Sequence, residues 1–335
     1  MSVMDHWHPV YHAARLGRKP VGICLNGEEI VLFRGAGGQI GALCDTCPHR
    51  RMRLSLGSIV DGRLQCTYHG WTYDCQGHGE SPGTPKLRTR AAGYEATERD
   101  GHVWIKSRDS DAQMPPFDVD GYMYVATLEH RMRAPLELVL DNFTEVEHTP
   151  TTHALLGYDL DHMHEVVTEV HPTETSVRVY NAGPQKRISP LVQVVFNIRV
   201  GDTFVDDWTT YFSPVYTCYD QYWIDVASGG NRGVRWRIYV FFNPIRDDET
   251  QLVTFAYAKS PFREPLNSLL MFRPLLWRLV DREIRLDIRM VESLADKRPV
   301  IDGMKLSRFD RVLGLNRERI ERIYRGRDQA VPAGV

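Results

Sequence analysis

Hydrophobic and polar residues alternate in short runs over the first third of the chain, a pattern that predicts β-strands. Runs typical of strands occupy residues 21–25, 29–33, 39–43, 59–64 and 101–105. Asn26-Gly27 separates the first two runs, and Asp61-Gly62 lies in the middle of the fourth. Both dipeptides favour tight hairpin turns, so we expect two hairpins there. No convincing long helix is predicted before about residue 130.

The remainder of the chain mixes strand-like runs with one long helical pattern. The strand-like runs cover residues 176–180, 192–200, 235–242 and 252–258. From 275 to 296 the period changes to that of a helix. One face of this predicted helix carries Leu276, Val280, Ile284, Met290, Val291 and Leu294. Asp287 lies in the middle of this apolar face, and an ionised carboxylate there requires a partner or a metal ion. Glu283 is a rival on the same face, and an ion pair with a core arginine is the alternative explanation.

Length and composition set broad bounds. A chain of 335 residues predicts two domains, and we place them at residues 1–125 and 126–335, joined by a linker at 109–120 that is rich in Asp and Pro. The net charge of −2 and the absence of a basic block argue against nucleic acid as a partner. With neither a membrane-spanning apolar stretch nor a signal-peptide pattern, we expect no membrane association and a cytoplasmic location.

Two short cysteine-histidine motifs carry the strongest chemical signal. Cys47-Pro48-His49 is followed by Cys66-Thr67-Tyr68-His69. Two thiolates and two imidazoles in two similar loops are the ligands of a [2Fe–2S] cluster whose irons are held by Cys₂ and by His₂. An alternative remains open, because Cys44, Cys47, Cys66 and His69 also have the spacing of a structural Cys₃His zinc site.

A second constellation lies between residues 141 and 153. His148 and His153, with a carboxylate from elsewhere, suit a 2-His-1-carboxylate iron site. Residues five apart on a regular helix point about 140° from each other, so these histidines would not converge on an unbroken helix. Pro150 lies between them and is expected to break or kink the helix. Asp287 is the predicted third ligand.

These residues resemble the Rieske-type mononuclear non-heme iron oxygenases. The matching features are C-x-H-R, C-x-x-H-G-W, D-N-x-x-E-x-x-H-x-x-x-x-H and a late D-x-x-x-V-E. The chain looks closest to the short, phthalate-type α-subunits, which include O- and N-demethylases, dicamba monooxygenase and ketosteroid hydroxylase. The resemblance implies an α+β fold, with an all-β Rieske [2Fe-2S] domain followed by a catalytic domain that has a curved antiparallel sheet flanked by helices.

The resemblance also implies roles for further residues. Members of this family pack head to tail as trimers, so that one cluster approaches the iron of the neighbouring subunit. Glu145 would then connect His148 to His69 of the next subunit, and Asn142 would lie near the iron without binding it. An alternative from the residues alone is that Asn142 and Glu145 form a helix capping box.

The function implied is that of a terminal oxygenase, with monooxygenation favoured over dioxygenation. Its cofactors would be the Rieske [2Fe-2S] cluster and mononuclear Fe(2+), with O2 as co-substrate. The sequence has no nucleotide fingerprint after a strand, so electrons from NAD(P)H would come through a separate ferredoxin or flavin reductase. The substrate would be an aromatic or polycyclic small molecule that is hydroxylated or oxidatively demethylated. A Rieske electron-transfer protein and a zinc-knuckle binding protein are the alternatives.

Overall fold

The computed structural model describes residues 2–153, 156–260 and 269–327, except for the side chains of residues 195 and 269–272. The chain divides into two compact units. One contains residues 1–115 and 243–247, and the other contains residues 116–242 and 248–335. The first division falls within the predicted linker at 109–120, while the predicted boundary at residue 125 stays a prediction. No helix among the described residues is both long and apolar enough to cross a bilayer.

The first unit is built from short strands, as the alternating pattern predicted. In chain order they are β1 (His8–His12), β2 (Val21–Leu25), β3 (Glu28–Arg34), β4 (Ile40–Cys44), β5 (Ser58–Val60), β6 (Arg63–Gln65), β7 (Thr72–Tyr73), β8 (His78–Glu80), β9 (Thr89–Arg90), β10 (Gly93–Arg99) and β11 (His102–Ser107). One six-stranded sheet has the order β1-β11-β10-β4-β3-β2, and β5 to β9 form a five-stranded sheet in sequence order. The two predicted hairpins are β2–β3 and β5–β6.

Two apolar clusters occupy the interior of the first unit, and β3 contributes to both because its side chains alternate between faces. Ile30 and Leu32 belong to one cluster. Val31 and Phe33 belong to the other, which also contains the two motif cysteines. The two motif cysteines are therefore part of the hydrophobic core of this unit.

The second unit contains a seven-stranded sheet with helices. Its strands are β12 (Met123–Met132), β13 (Val167–Pro172), β14 (Ser176–Pro184), β15 (Thr203–Phe212), β16 (Val215–Ile224), β17 (Asn231–Arg246) and β18 (Glu249–Lys259). Its helices are α1 (Leu136–Phe143), α2 (Thr149–Thr152), α3 (Pro190–Phe196), α4 (Leu269–Glu292) and α5 (Val312–Arg319). The sheet order is β12-β18-β17-β16-β15-β14-β13, so hairpin-connected neighbours build most of it. The last residues of β17 belong to the first unit. The predicted α+β class is confirmed.

One strand prediction in this unit is wrong. Residues 192–200 were expected to be a strand, but most of this apolar run lies in α3. Ser189 caps the helix by accepting a hydrogen bond from the Val192 amide, and Pro190 occupies the first turn, where its missing N–H is harmless. Asn197 ends the helix in the left-handed region, at φ 54°. These start and stop signals outweigh the β-propensity of the valines.

The long predicted helix is present as α4, but its apolar face is narrower than the sequence indicated. Leu276, Ile284 and Val291 are buried on it, together with Asp287. Met290 and Leu294 were expected on that face, yet they are 41% and 45% exposed. Leu294 lies beyond the last helical residue, Glu292, so helical spacing no longer sets its direction.

Candidate functional site

The two cysteine-histidine loops of the first unit have the same backbone hydrogen bonds. In each loop the cysteine amide donates to the carbonyl five residues later, at 2.8 Å for Cys47 and 2.7 Å for Cys66. The amide four residues later donates back to the cysteine carbonyl, at 2.9 Å and 3.0 Å. That fourth residue has a positive φ in both loops, 59° at Arg51 and 71° at Gly70. Similar spacing in the sequence thus produces two matching turns.

These turns separate the thiols from the imidazoles. Cys47 and Cys66 are buried and are not joined by a disulfide. His49 and His69 are exposed, with their ring centroids 4.5 Å apart. The indole of Trp71 stacks on the His49 ring at 4.6 Å and limits its orientation. The loops therefore present one buried pair of thiols and one exposed pair of imidazoles.

Burial and neighbouring groups shift the pKa values of residues in both loops. Burial raises the pKa of the Cys66 thiol, and its neighbour Cys47 raises it further. The Tyr73 hydroxyl lies 3.2 Å from the Cys47 sulfur. Burial raises the pKa of Tyr73, which keeps this hydroxyl protonated and able to donate. Burial, and then the charges of His49 and Arg50, lower the pKa of His69 and favour the neutral imidazole that binds metal.

The alternative Cys₃His zinc site does not fit this arrangement. Cys44 lies at the end of β4, and its sulfur is 3.7 Å from the Tyr94 hydroxyl. It packs against the apolar cluster that contains Tyr94, whereas Cys47 and Cys66 lie in the other cluster. Two buried thiols paired with two exposed imidazoles instead fit the Cys₂/His₂ donor set of a Rieske [2Fe–2S] cluster.

In the second unit, the predicted histidines converge by a route that differs from the expected kinked helix. α1 already ends at Phe143, and the Thr144 hydroxyl donates to the Leu140 carbonyl at 2.7 Å. Pro150 does not interrupt a helix, because it stands in the first turn of the short helix α2. His148 immediately precedes α2 and His153 immediately follows it. Flanking one helical turn brings the two imidazoles to the same place.

The two imidazoles meet the Asp287 carboxylate from α4. Nε2 of His148 and Nε2 of His153 are 3.1 Å apart. They lie 3.4 Å and 3.3 Å from Oδ1 of Asp287. Among the described residues, these three form the one group of three or more potential ligands whose donor atoms lie within 4.8 Å of one another. The donor set fits a ferrous ion with open coordination positions.

Carboxylates hold the far side of both imidazoles. The Glu145 carboxylate contacts Nδ1 of His148 and accepts from the amides of Glu147 and His148 at 2.5 Å and 3.3 Å. Oε2 of Glu283 lies 3.2 Å from Nδ1 of His153. The contact at Nδ1 fixes the tautomer of His148 and directs its Nε2 toward His153 and Asp287, whereas Nδ1 of His153 forms no hydrogen bond with Glu283. Glu283, the rival ligand, thus lies behind His153.

Asn142 connects the end of α1 to α4. Its side-chain amide donates to Oδ1 of Asp287 at 3.0 Å, and it thereby orients the carboxylate without offering a ligand atom to the group. The capping-box alternative is wrong, because Asn142 lies in the last turn of α1 and Glu145 follows the helix. Asn142 instead contacts Asp287, and Glu145 contacts His148.

The site attracts positive charge. Burial lowers the pKa of His148, but hydrogen bonds to Asp287 and Glu145 outweigh burial and raise this pKa to about 10. A divalent cation could take the place of that proton and satisfy the same carboxylates. Lys186 donates to the carbonyls of Thr149 and His153, which fixes both ends of α2 beside the group.

A cavity of about 890 Å³, counting the space open to solvent, lies against the three potential ligands. Apolar side chains of α4 line one wall, among them Leu279, Val280 and Ile284. The facing wall comes from the sheet and carries Trp208 and Tyr219. Both rings are otherwise buried in the interior of this unit.

The cavity also contains polar residues that the sequence did not reveal. Asp206 and Asp207 both lie within β15. Asp206 is buried in the cavity wall, and burial raises its pKa to about 7. The signal was the alternation of Phe204, Asp206 and Trp208 on one face of a strand, which the paired aspartates obscured.

Comparison with known proteins identifies a Rieske domain in the first unit and relatives among oxygenases. Residues 6–91 match the family model described as "Rieske [2Fe-2S] domain". The chain is 36% identical over 157 residues to a chloroplastic chlorophyllide a oxygenase of Oryza sativa subsp. japonica, a match that covers 45% of this chain and 29% of that protein. It is 35% identical over 143 residues to the vanillate O-demethylase oxygenase subunit of a Pseudomonas species, covering 38% and 41%. The chain spans less than half the length of these curated relatives.

Two solved structures resemble nearly the entire chain. Dicamba monooxygenase bound to 3,6 dichlorosalicylic acid superposes with a TM-score of 0.79 at 19% identity, covering 95% of this chain and 96% of that chain. A Pseudomonas putida CBB5 NdmA mutant with caffeine superposes with a TM-score of 0.71 at 21% identity, covering 94% and 89%. The fold is therefore shared well beyond the segment where sequence similarity is evident.

Proposed function

The chain carries a Rieske [2Fe–2S] domain and has the fold of Rieske oxygenase α-subunits, and from this premise we propose that it is the terminal oxygenase component of a Rieske non-heme iron system. The observation that carries the proposal is the convergence of His148, His153 and Asp287 beside a cavity. An electron-transfer protein has no need of a second metal group with a cavity next to it.

In this proposal His148, His153 and Asp287 bind Fe(2+), and Cys47, His49, Cys66 and His69 bind the cluster. The iron, when bound, would supply the activation of O2 at its open coordination positions. The surrounding protein orients the three side chains that would bind the iron. Glu145 orients the imidazole of His148, the charge of Glu283 lies beside the imidazole of His153, and Asn142 orients the carboxylate of Asp287.

The reaction proposed is hydroxylation of a C–H bond of an aromatic or polycyclic small molecule. One oxygen atom of O2 enters the product, and the other leaves as water with two electrons and two protons. On a methoxy or N-methyl carbon, the hydroxylated product would lose formaldehyde, which amounts to demethylation. Leu279, Val280 and Ile284 would exclude water from the reacting carbon.

Electrons would reach the cluster from NAD(P)H through a separate ferredoxin or flavin reductase. We further propose a head-to-tail homotrimer in which Glu145 links His148 to His69 of the next subunit. A groove of about 1350 Å³ supports this proposal, because Glu145, Glu147 and His148 line it together with partly exposed apolar residues. Those apolar residues are Met290, Leu294, Met304 and Leu306. A cytoplasmic location remains a prediction.

The test is turnover by His148→Ala protein reconstituted with a reductase. We expect the visible absorption of the cluster to persist while NADH-dependent oxygenation of a demethylase substrate panel falls to background. Lys297→Ala is a control, since Lys297 is half-buried, donates to the Arg133 carbonyl and does not line the cavity. Full oxygenase activity in the His148→Ala protein would overturn the iron assignment.

A further inference from the structure

Two polar side chains, a carboxylate and an amide, lie opposite each other on neighbouring strands in the cavity wall. Asp206 on β15 and Gln221 on β16 are register partners, and both line the cavity. The Gln221 amide nitrogen donates to Oδ1 of Asp206 at 3.1 Å. Because the amide nitrogen donates to Asp206, the amide oxygen of Gln221 must find its hydrogen-bond donor in another group.

This pair is incompletely satisfied. Gln221 is only 7% exposed, and its amide oxygen is buried without a hydrogen-bond partner. Asp206 is 6% exposed, and no Lys or Arg of the described residues forms an ion pair with it. A buried acceptor without a donor is destabilising by about 1–3 kcal/mol, so such groups in a binding cavity indicate a ligand that supplies donors.

The charged residues of the cavity also favour a ligand that donates hydrogen bonds. Among the described residues, its lining contains four carboxylates, Glu145, Asp206, Glu283 and Asp287, and no lysine or arginine. Glu145 and Asp287 contact the imidazole of His148, and Oε2 of Glu283 lies 3.2 Å from Nδ1 of His153 without forming a hydrogen bond. Asp206 is the one of these four described carboxylates that forms no ion pair with either imidazole, so it is available to a ligand that binds away from the metal group.

Aromatic rings adjoin the acceptor pair. Trp236 on β17 is the register partner of Gln221, and Trp208 and Tyr219 are register partners on β15 and β16. All three line the cavity. Aromatic faces beside a carboxylate are the surroundings in which proteins recognise organic cations, through cation–π attraction and N–H donors together.

We propose that Asp206 and Gln221 select substrates that carry a cationic, N–H-donating nitrogen group, such as an amine, amidine or guanidine, and that they disfavour carboxylates. This inference rests on the proposed function in so far as the ligand is a substrate. Asp206 and Gln221 would bind the end of the molecule that does not react. The aromatic wall would cover its hydrophobic body.

The test is equilibrium binding to the purified, iron-loaded protein with three probes of nearly equal shape, benzamidine, benzamide and benzoate. We expect benzamidine to bind at least tenfold more tightly than benzamide and benzoate to bind most weakly. Asp206→Asn should abolish the preference for benzamidine. Asp207→Asn is the matched control, because Asp207 is the next residue on β15 and pairs with Arg178 at 2.9 Å and 2.6 Å.

Gln221→Met provides a second variant if Asp206→Asn does not fold, and it should reduce the preference by removing the amide oxygen. Absence of benzamidine binding, equal binding of benzoate, or an unchanged preference in both variants would overturn the proposal. Because binding is measured without turnover, these outcomes are separate from those of the oxygenase test. An active oxygenase without the preference would refute only the substrate class.

Discussion

Replacing Glu145 with glutamine tests how the metal group is held. The carboxylate accepts three hydrogens, one from Nδ1 of His148 and two from the backbone amides of Glu147 and His148. Different oxygens serve the ring and the amides. Glutamine has one acceptor oxygen, so its NH₂ group must face a donor on one of the two sides. Glu145→Gln therefore removes one of these contacts and the negative charge while preserving the shape of the side chain.

The expected effect is on iron affinity. Losing the carboxylate behind a metal-binding histidine typically lowers metal affinity by about 10–100-fold. This range corresponds to about 1.4–2.7 kcal/mol of binding free energy. The contact lies in a half-buried position, with side-chain exposures of 17% for His148 and 15% for Glu145, so water replaces it poorly. We therefore expect the loss to fall within this range.

The assay is Fe(II) affinity by competition with a chelator, with the absorption of the cluster as an internal measure of intact protein. Glu147→Gln is the matched control, because Glu147 is exposed and only its backbone amide takes part in the network. We expect that control to bind Fe(II) like the wild type. An affinity of Glu145→Gln within twofold of the wild type would refute the orienting role.

The same variant separates orientation from electron transfer. At saturating Fe(II), the proposed link to the neighbouring cluster predicts little product in a single turnover from reduced protein. Normal product yield at saturating Fe(II) would contradict the link while leaving the orienting role intact.

Three further predictions concern other parts of the chain. Tyr73→Phe removes the hydroxyl beside the Cys47 sulfur and should lower the reduction potential of the cluster, measured by redox titration; an unchanged potential would contradict this role. Arg317 donates to the two carboxylate oxygens of Asp141 at 2.7 Å and 2.6 Å. Arg317→Met leaves this carboxylate buried and unpaired, so the free energy of unfolding measured in denaturant titrations should fall by about 3–5 kcal/mol. Burial lowers the pKa of His8 to about 4, so the unfolded chain binds the extra proton below pH 6.5, and stability should fall by about 1 kcal/mol from pH 7.5 to 5.5. A His8→Gln variant that shows the same fall would exclude His8 as its source.

The two loops, the position of Asp287 and the first hairpin could be predicted from the sequence, because residue spacing and side-chain chemistry indicate the same structure there. The two loops have the same backbone hydrogen bonds counted from Cys47 and from Cys66, although the histidine follows two residues after the first cysteine and three after the second. Asp287 was recognisable because a carboxylate on an apolar helix face needs a partner. The hairpin at Asn26-Gly27 was recognisable because that dipeptide accepts positive φ at both positions, 51° and 78° here.

Other features depend on contacts that the sequence does not show. The end of α1 at Phe143 is stabilised by Thr144, whose hydroxyl also accepts from the distant Asn316. The partnership of Asp206 with Gln221 depends on strand register. The apolar run at 192–200 suited a strand or a helix, and local capping by Ser189 decided for the helix.

A count of iron, zinc and acid-labile sulfide per chain, with EPR of the dithionite-reduced protein, tests most directly whether both metal centres are present. We expect about three irons and two sulfides in the wild type, with a rhombic Rieske signal. His153→Ala should retain the signal and both sulfides but contain about two irons. One zinc without sulfide in the wild type would contradict the cluster, and three irons in His153→Ala would contradict the mononuclear site.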